Sequence, residues 1–391
     1  MHRIASARRP NMVERARETG FDFLTIDGEI YWDETAYYAF TMDQIERDLE
    51  APTNELAAMC LELVARAVAD DALLTRLAIP EHAWPLARDS WQRRDPALYG
   101  RFDFSYDGHG PAKLLEYNAD TPTALFEAAV FQWHWLEDLI AEQWLPKDAD
   151  QFNSLHEALI ERFKTFADLG RWPNKLHLAC VPESTEDRGL IAYLRDCAVQ
   201  AGLNTDTVAI SDIGSRHTGP FVDLSDQPIG LLFKLYPWEW MLREPFSMEP
   251  GMRETRFIEP AWKQILSNKG ILPLLWEMAP GHPNLLEAYF AADERRAALG
   301  RRFAKKPLYS REGSNVVLID GHDVVDAEIA GPYGQEGHIV QALATLPNFD
   351  GNYPVIGSWV IGEKAHGIGI REDRTPITKD TSRFIPHAIL P

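Results

Sequence analysis

The chain has 391 residues, 45% of them hydrophobic, and a formal net charge of −20. The length predicts two or three domains around separate cores. The acidic balance disfavours nucleic acid, which is held by neutralising phosphates, and is compatible with a cationic small molecule such as a polyamine.

Residues 10–20 read as a helix closed by Gly20, and residues 21–32 (FDFLTIDGEIYW) as a short hairpin around Asp27-Gly28. Thr41 is placed to cap a helix from Met42. A long helix is expected from Pro52 to Ala69, where Leu56, Cys60, Leu63, Val64 and Ala67 keep helical spacing. Two short helices should fill 71–93, with Pro80 and Pro85 as breaks. Most aromatics of this helical layer suit a core, although Tyr31, Trp32 or Tyr37 could reach a cleft.

Residues 101–106 (RFDFSY) then alternate polar and aromatic, the period of a half-buried strand. Asp107-Gly108-His109-Gly110 is turn chemistry, and Lys113 to Asn118 reads as the return strand. Arg101 and Asp103 share one face, as do Glu116 and Asn118. With 107–110 as the loop, Arg101 falls roughly opposite Glu116. One guanidinium, two carboxylates and an amide oxygen thus gather on one face of a hairpin. Such oxygens suit a hard divalent cation such as Mg2+; a solvated salt bridge on a polar sheet face is the alternative.

Thr121 and Pro122 have the residue types of an N-cap and first helical position, predicting a helix to about Gln143. Another helix is expected over 151–169. Residues 176–182, 186–201 and 204–210 read as strand, helix and strand, one βαβ unit, without the glycine-rich turn of a dinucleotide fold. Residues 220–236 suggest two short strands, and helical stretches open at Trp238 and Pro260. Lys269 stands just before another helix. Lys305 and Lys306 lie at a strand end, followed by the turn SREGSN and the strand VVLI. A small loop beside lysines can hold phosphates, or be only a hairpin tip. Gly337 to Gln341 is a further strand. Residues 355–373 read as two antiparallel strands with Arg371 near the end of the second, and SRFIPH as closing coil.

No apolar run reaches membrane length. The basic start of the chain lacks the apolar middle of a secretion signal, so a cytoplasmic location is expected. Cys60, Cys180 and Cys197 are widely spaced among apolar residues and read as core thiols of a reducing compartment. His109, His282, His338, His366 and His387 show no ligand-pair spacing.

The segments RFDF, LLEYNADTPT, SNKGILP, KKPLYSREGSNV, GHIVQ and GSWVIGEKAHGIGIRED, in this order, resemble the synthetase part of the glutathionylspermidine synthetase family, and the resemblance covers nearly the whole chain. It implies an α+β or α/β, ATP-grasp-type fold with antiparallel sheets, a βαβ pre-ATP-grasp-like unit and a helical N-terminal layer. The expected parts are 1–170 with the metal-site hairpin 101–118, 171–235 as the βαβ unit, and 236–391 with the ATP lysines and small loop. The implied activity is ATP-dependent amide formation between a glutathione-like or peptide carboxylate and a polyamine-like amine, through an acyl phosphate. Alternatives are a ligase for a different acid and a non-catalytic MgATP-binding regulatory protein. By the same resemblance Arg101 and Arg371 are catalytic, and Asp103, Glu116 and Asn118 hold Mg2+. Lys269, Lys306, Gly313 and Gln341 bind ATP, with Gln341 and the adjacent main chain toward the adenine. The choice of Lys306 over Lys305 rests on spacing to Gly313. The 310–315 turn is the expected lid. No cysteine lies in an amidase-like context, so amide hydrolysis is not expected. Because the metal ligands precede the lysines, the first third of the chain must close against the last.

Overall fold

The computed structural model describes residues 1–168, 175–321, 323–326 and 331–391. Three substantial sheets carry the fold. One is antiparallel and five-stranded, in the order Arg383–Ile385, Lys364–Asp373, Tyr353–Ile361, Tyr99–Ser105, Lys113–Asn118. The expected closure is therefore literal: strands near residue 100 pair with strands near residue 360. The second is also antiparallel, in the order Ala288–Phe290, His338–Ala342, Arg302–Pro307, Val317–Asp320, Asp323–Asp326. The third is parallel, in the order Arg256–Ile258, Leu231–Lys234, Lys175–Cys180, Asn204–Ala209. The expected βαβ unit forms its heart, with the helix Thr185–Gln200 as crossover. Its fourth strand, Arg256–Ile258, comes from beyond residue 235. The 170/171 boundary and the expected last residue of the 151–169 helix lie outside the described residues.

Alternation decides the central hairpin. Phe102 and Phe104 are fully buried, and Phe102 stacks on Tyr117 at 3.9 Å between ring centroids. Burying a side chain of this size contributes about 2–3 kcal/mol. This fixes which face Arg101 and Asp103 present. The helix Ala51–Val68 covers the back of the sheet, where Thr53 Oγ1 lies 2.7 Å from Ser358 Oγ. Glu259 ties the strand start to the parallel unit. Its carboxylate accepts from the Leu98 and Tyr99 N–H groups and from Lys263 Nζ at 2.8 Å. Among the described residues, no helix is long and apolar enough to cross a membrane.

Several local expectations change. The hairpin loop spans residues 106–112 and a bulge follows Asp103, so Arg101 faces Asn118 and Asp103 faces Glu116. Pro85 opens the helix Trp84–Gln92 rather than breaking one. Thr121 does not cap a helix. Residues 121–124 are irregular, with Ala124 at φ +68°, and the helix begins at residue 125, because Thr121 and Thr123 are engaged by arginines of the cleft. Residues 220–236 yield one strand, Leu231–Lys234, plus isolated bridges at Val222. The closing segment is not coil: Arg383–Ile385 and His387–Ile389 add edge strands to two sheets. Tyr31 and Trp32 are core residues, at 1% and 2% exposure.

Candidate active site

Two adjoining clefts, of about 810 and 780 Å³, open on the first antiparallel sheet, and the second of them lies between it and the other antiparallel sheet. Arg101, Asn118 and Arg371 line the first; Lys269, Lys306 and Gln341 line the second; Asp103, Glu116 and Gly313 border both. All nine sequence-predicted residues thus come together.

The hairpin supplies one wall. Arg101 grips Asp103 with two bonds, Nε to Oδ1 at 2.6 Å and Nη2 to Oδ2 at 3.0 Å, and donates to the Thr123 carbonyl at 2.7 Å. Its stem crosses Gly357 on the neighbouring strand, where a Cβ would meet Arg101 Cδ at 2.6 Å. Its guanidinium lies over Trp359. Two of its five N–H donors stay available to a ligand. Asn118 Nδ2 donates to Asp103 Oδ2 at 3.0 Å and Glu116 Oε1 at 3.1 Å.

The lysines supply the other wall. Lys269 Nζ lies 3.0 Å from Glu116 Oε2 and donates to the Ser310 carbonyl at 2.8 Å. Lys305 points to solvent and Lys306 inward, since neighbours on a strand face opposite ways. Lys306 Nζ donates to the Leu115 carbonyl and to Gln341 Oε1, each at 2.8 Å. Gln341 Nε2 donates to the Leu114 carbonyl at 3.0 Å. The Gln341 side chain thus orients Lys306.

Titration follows from this arrangement. Burial opposes charge on Glu116, but the charges of Lys269 and Lys306 override it and bring its carboxyl down to about 2. Burial pushes Asp103 up, and Arg101 offsets this only in part. Burial lowers Lys306 to about 8 despite Glu116. Shifts of this kind concentrate where a protein holds charge for a ligand.

The turn Ser310–Asn315 sits at the junction of the clefts. Gly313 has φ +70°, and a Cβ there would stand 2.5 Å from Ile377 Cγ2 and 2.8 Å from the Thr378 carbonyl. Arg371 lines the first cleft with Arg101, two strands away on the same sheet. It donates to the carbonyls of Lys379, Asp380 and Ser382 and lies over the Tyr31 ring.

A profile of the glutathionylspermidine synthase preATP-grasp family matches residues 3–390. The chain belongs to this family. It is 44% identical to a protein of Haemophilus influenzae named an acid–amine ligase, over 98% of both chains. It is 30% identical to the trypanothione synthetase of Crithidia fasciculata, over 83% of this chain and 52% of that one. It is 28% identical to the bifunctional glutathionylspermidine synthetase/amidase of Escherichia coli, over 93% of this chain and 61% of that one. The chain therefore spans only about half to three fifths of those two longer relatives. A glutathione synthetase-like effector of Globodera pallida superposes with a TM-score of 0.60 at 12% identity, over 98% of each chain, and shares the mixed α/β fold.

The glutathionylspermidine synthase fold also gathers residues that sequence reasoning left unassigned. Arg311, inside the SREGSN turn, donates to Thr121 Oγ1 at 2.7 Å and to Glu239 Oε1 at 3.2 Å. Asp120 accepts from Lys234 Nζ and the Trp238 N–H, each at 2.7 Å, in a fully buried ion pair. A lone lysine in the apolar strand LLFK was the available signal. A second acidic group lies near Arg371 and Arg311. Burial, then Glu127, raises Glu186 to about 8; burial raises Asp187 to about 6. Glu127 accepts from the Tyr31 hydroxyl inside the core. Glu127 lies about 60 residues before the adjacent pair Glu186 and Asp187, so no single motif marks the group.

Proposed function

We propose that the protein is an ATP-dependent carboxylate–amine ligase of ATP-grasp type, joining a small acid, such as a peptide carboxylate, to a cationic amine. The observation that carries this reading is the Glu116–Lys269 contact at 3.0 Å. It joins a carboxylate hairpin, suited to a metal ion, to a lysine pair, suited to phosphates, across one cleft.

The donor set fits Mg2+. Asp103 and Glu116 face each other across the hairpin, and the Asn118 amide lies between them with its oxygen unused. The amide can turn its oxygen toward the same point. Only oxygen atoms are offered, the preference of a hard cation. When bound there, Mg2+ would neutralise charge on the polyphosphate. The second cleft suits a nucleotide: Lys269 and Lys306 face the phosphates, while Val316, Leu318, Leu346 and Ile377 offer an apolar bed for a base.

A carboxylate resists attack by an amine. Its oxygen therefore attacks the γ-phosphorus, the bond to ADP breaks, and an acyl phosphate forms. The amine then attacks the carbonyl carbon, phosphate departs, and the amine's proton is released. Such transfer depends on positioning and charge neutralisation. Arg101 has free N–H groups aimed into the first cleft and would hold the transferring phosphoryl group. Arg371 would act from two strands away on the same sheet. The Ser310–Asn315 turn would close over the acyl phosphate to exclude water. The acids Glu127, Glu186, Asp187 and Asp380 near Arg371 and Arg311 would favour a polyamine-like cation.

The test is ADP release and mass-spectrometric detection of amide, with MgATP and a panel of acids and amines. The reading predicts ADP release only with a matched pair, lost in Asp103→Ala and Glu116→Ala with the fold intact. Tight MgATP binding without turnover for any pair, or unchanged turnover in both variants, would contradict it.

A further inference from the structure

A second cluster lies on the parallel sheet, away from both clefts. His177 and Asp206 are register partners on adjacent strands, Lys175–Cys180 and the edge strand Asn204–Ala209. Asp223 reaches the same point from the loop before Leu231. Donor atoms of the three side chains all lie within 4.8 Å of one another.

His177 is 1% exposed, yet among the described residues neither ring nitrogen has a hydrogen-bond partner. Its Nε2 points toward Asp223 Oδ2 at 3.7 Å, too long for a hydrogen bond. A buried polar atom without a partner costs about 1–3 kcal/mol, so two on one ring call for an explanation. Asp223 is already oriented: its Oδ1 accepts from the Ser225 and Gln227 N–H groups at 2.8 and 2.9 Å, which turns Oδ2 to the histidine. Asp206 is exposed and gives a route from solvent. Its Oδ2 is held at 2.7 Å by Lys175 Nζ, and its Oδ1 accepts from the Thr207 N–H. Lys175 thus already places a cation at the cluster.

We propose that His177, Asp206 and Asp223 form a second metal site, for one transition-metal dication of the zinc class. One imidazole nitrogen with two carboxylates suits zinc, nickel or cobalt better than magnesium, which prefers oxygen alone. Bond lengths near 2.0–2.2 Å place tetrahedral ligands about 3.4 Å apart, so the side chains must close by roughly 1.4 Å. The exposed Asp206 can make most of that movement, releasing Lys175. Burial keeps His177 below its usual range, so the ring is neutral and has a lone pair to give. A bound ion would clip the edge strand Asn204–Ala209 to its neighbour and to the Asp223 loop.

The test is equilibrium dialysis of zinc against the metal-stripped full chain, with excess Mg2+ to saturate the oxygen ligands of the hairpin. The proposal predicts one zinc per chain. It predicts weakening by more than the ~10- to 100-fold that loss of a mere supporting group causes, in both His177→Ala and Asp206→Asn, and retention in Asp103→Asn. If His177→Ala fails to fold, the surface variant Asp206→Asn decides. Lys175→Met should tighten binding. Wild-type protein that takes up no zinc, zinc binding by Asp206→Asn equal to wild type, or loss in Asp103→Asn instead, would overturn the proposal.

Discussion

Replacing Lys306 by methionine separates binding from stability. Lys306 is 7% exposed, and burial, partly offset by Glu116, lowers it from 10.5 to about 8. At about 1.4 kcal/mol per unit, the 2.5-unit fall means that its charge opposes folding by roughly 3 kcal/mol at neutral pH. Lys306→Met removes that penalty. It also removes the bonds to the Leu115 carbonyl and Gln341 Oε1, worth about 1 kcal/mol each. The net expectation is a gain of roughly 1 kcal/mol in urea unfolding at pH 7. Nucleotide affinity should fall in the same variant by roughly 10- to 100-fold, the value of one charge-assisted contact to phosphate. The sign with pH follows from the lowered value. The penalty is complete below about pH 8 and vanishes as pH rises to the ordinary lysine range. Wild-type stability should therefore rise relative to the methionine variant across that window. A variant destabilised by more than about 2 kcal/mol, with nucleotide affinity intact, would make Lys306 a structural residue and refute the reasoning.

Gly313→Ala puts a methyl against Ile377 and the Thr378 carbonyl at positive φ, so the turn must shift. The nucleotide KM should rise severalfold with the melting temperature little changed, and an unaltered KM would remove the turn from the site. Arg101→Lys loses the two-pronged grip on Asp103, so kcat should drop at least about 100-fold, with MgATP affinity altered less; equal losses in both would assign Arg101 to ground-state binding. Glu186 has a raised value of about 8, so its contribution to stability is complete below the usual carboxylate range and lost as pH rises through 8. Wild-type stability should therefore fall relative to Glu186→Gln between about pH 5 and 8. At pH 7 a cationic amine should release protons on binding, read by calorimetry in buffers of different ionisation enthalpy; proton uptake would contradict an acidic amine site.

Local pattern carried the central hairpin because aromatic alternation leaves one choice of face. It could not carry the register, since a seven-residue loop and a bulge replaced the expected four-residue turn. Strand alternation turns Lys305 to solvent and Lys306 inward, the lysine that spacing to Gly313 had picked. The helix start at Thr121 was misplaced because its hydroxyl and the Thr123 carbonyl serve arginines rather than a helix end. The closing strands were read as coil because each has only three residues at a sheet edge, Arg383–Ile385 beside Lys364–Asp373 and His387–Ile389 beside the remote Ala36–Phe40. Arg311, the Asp120–Lys234 pair and the acids near Arg371 and Arg311 have no motif, only proximity created by folding. The closure of first third on last was legible because the resemblance puts metal ligands in the hairpin and ATP lysines in the last third.

Transfer of isotope from the acid to phosphate tests the central claim most directly. The acid substrate would carry 18O in its carboxylate, and the released phosphate would be examined by 31P NMR. An acyl-phosphate route predicts one 18O in each phosphate formed, in step with amide. Unlabelled phosphate alongside amide would contradict it.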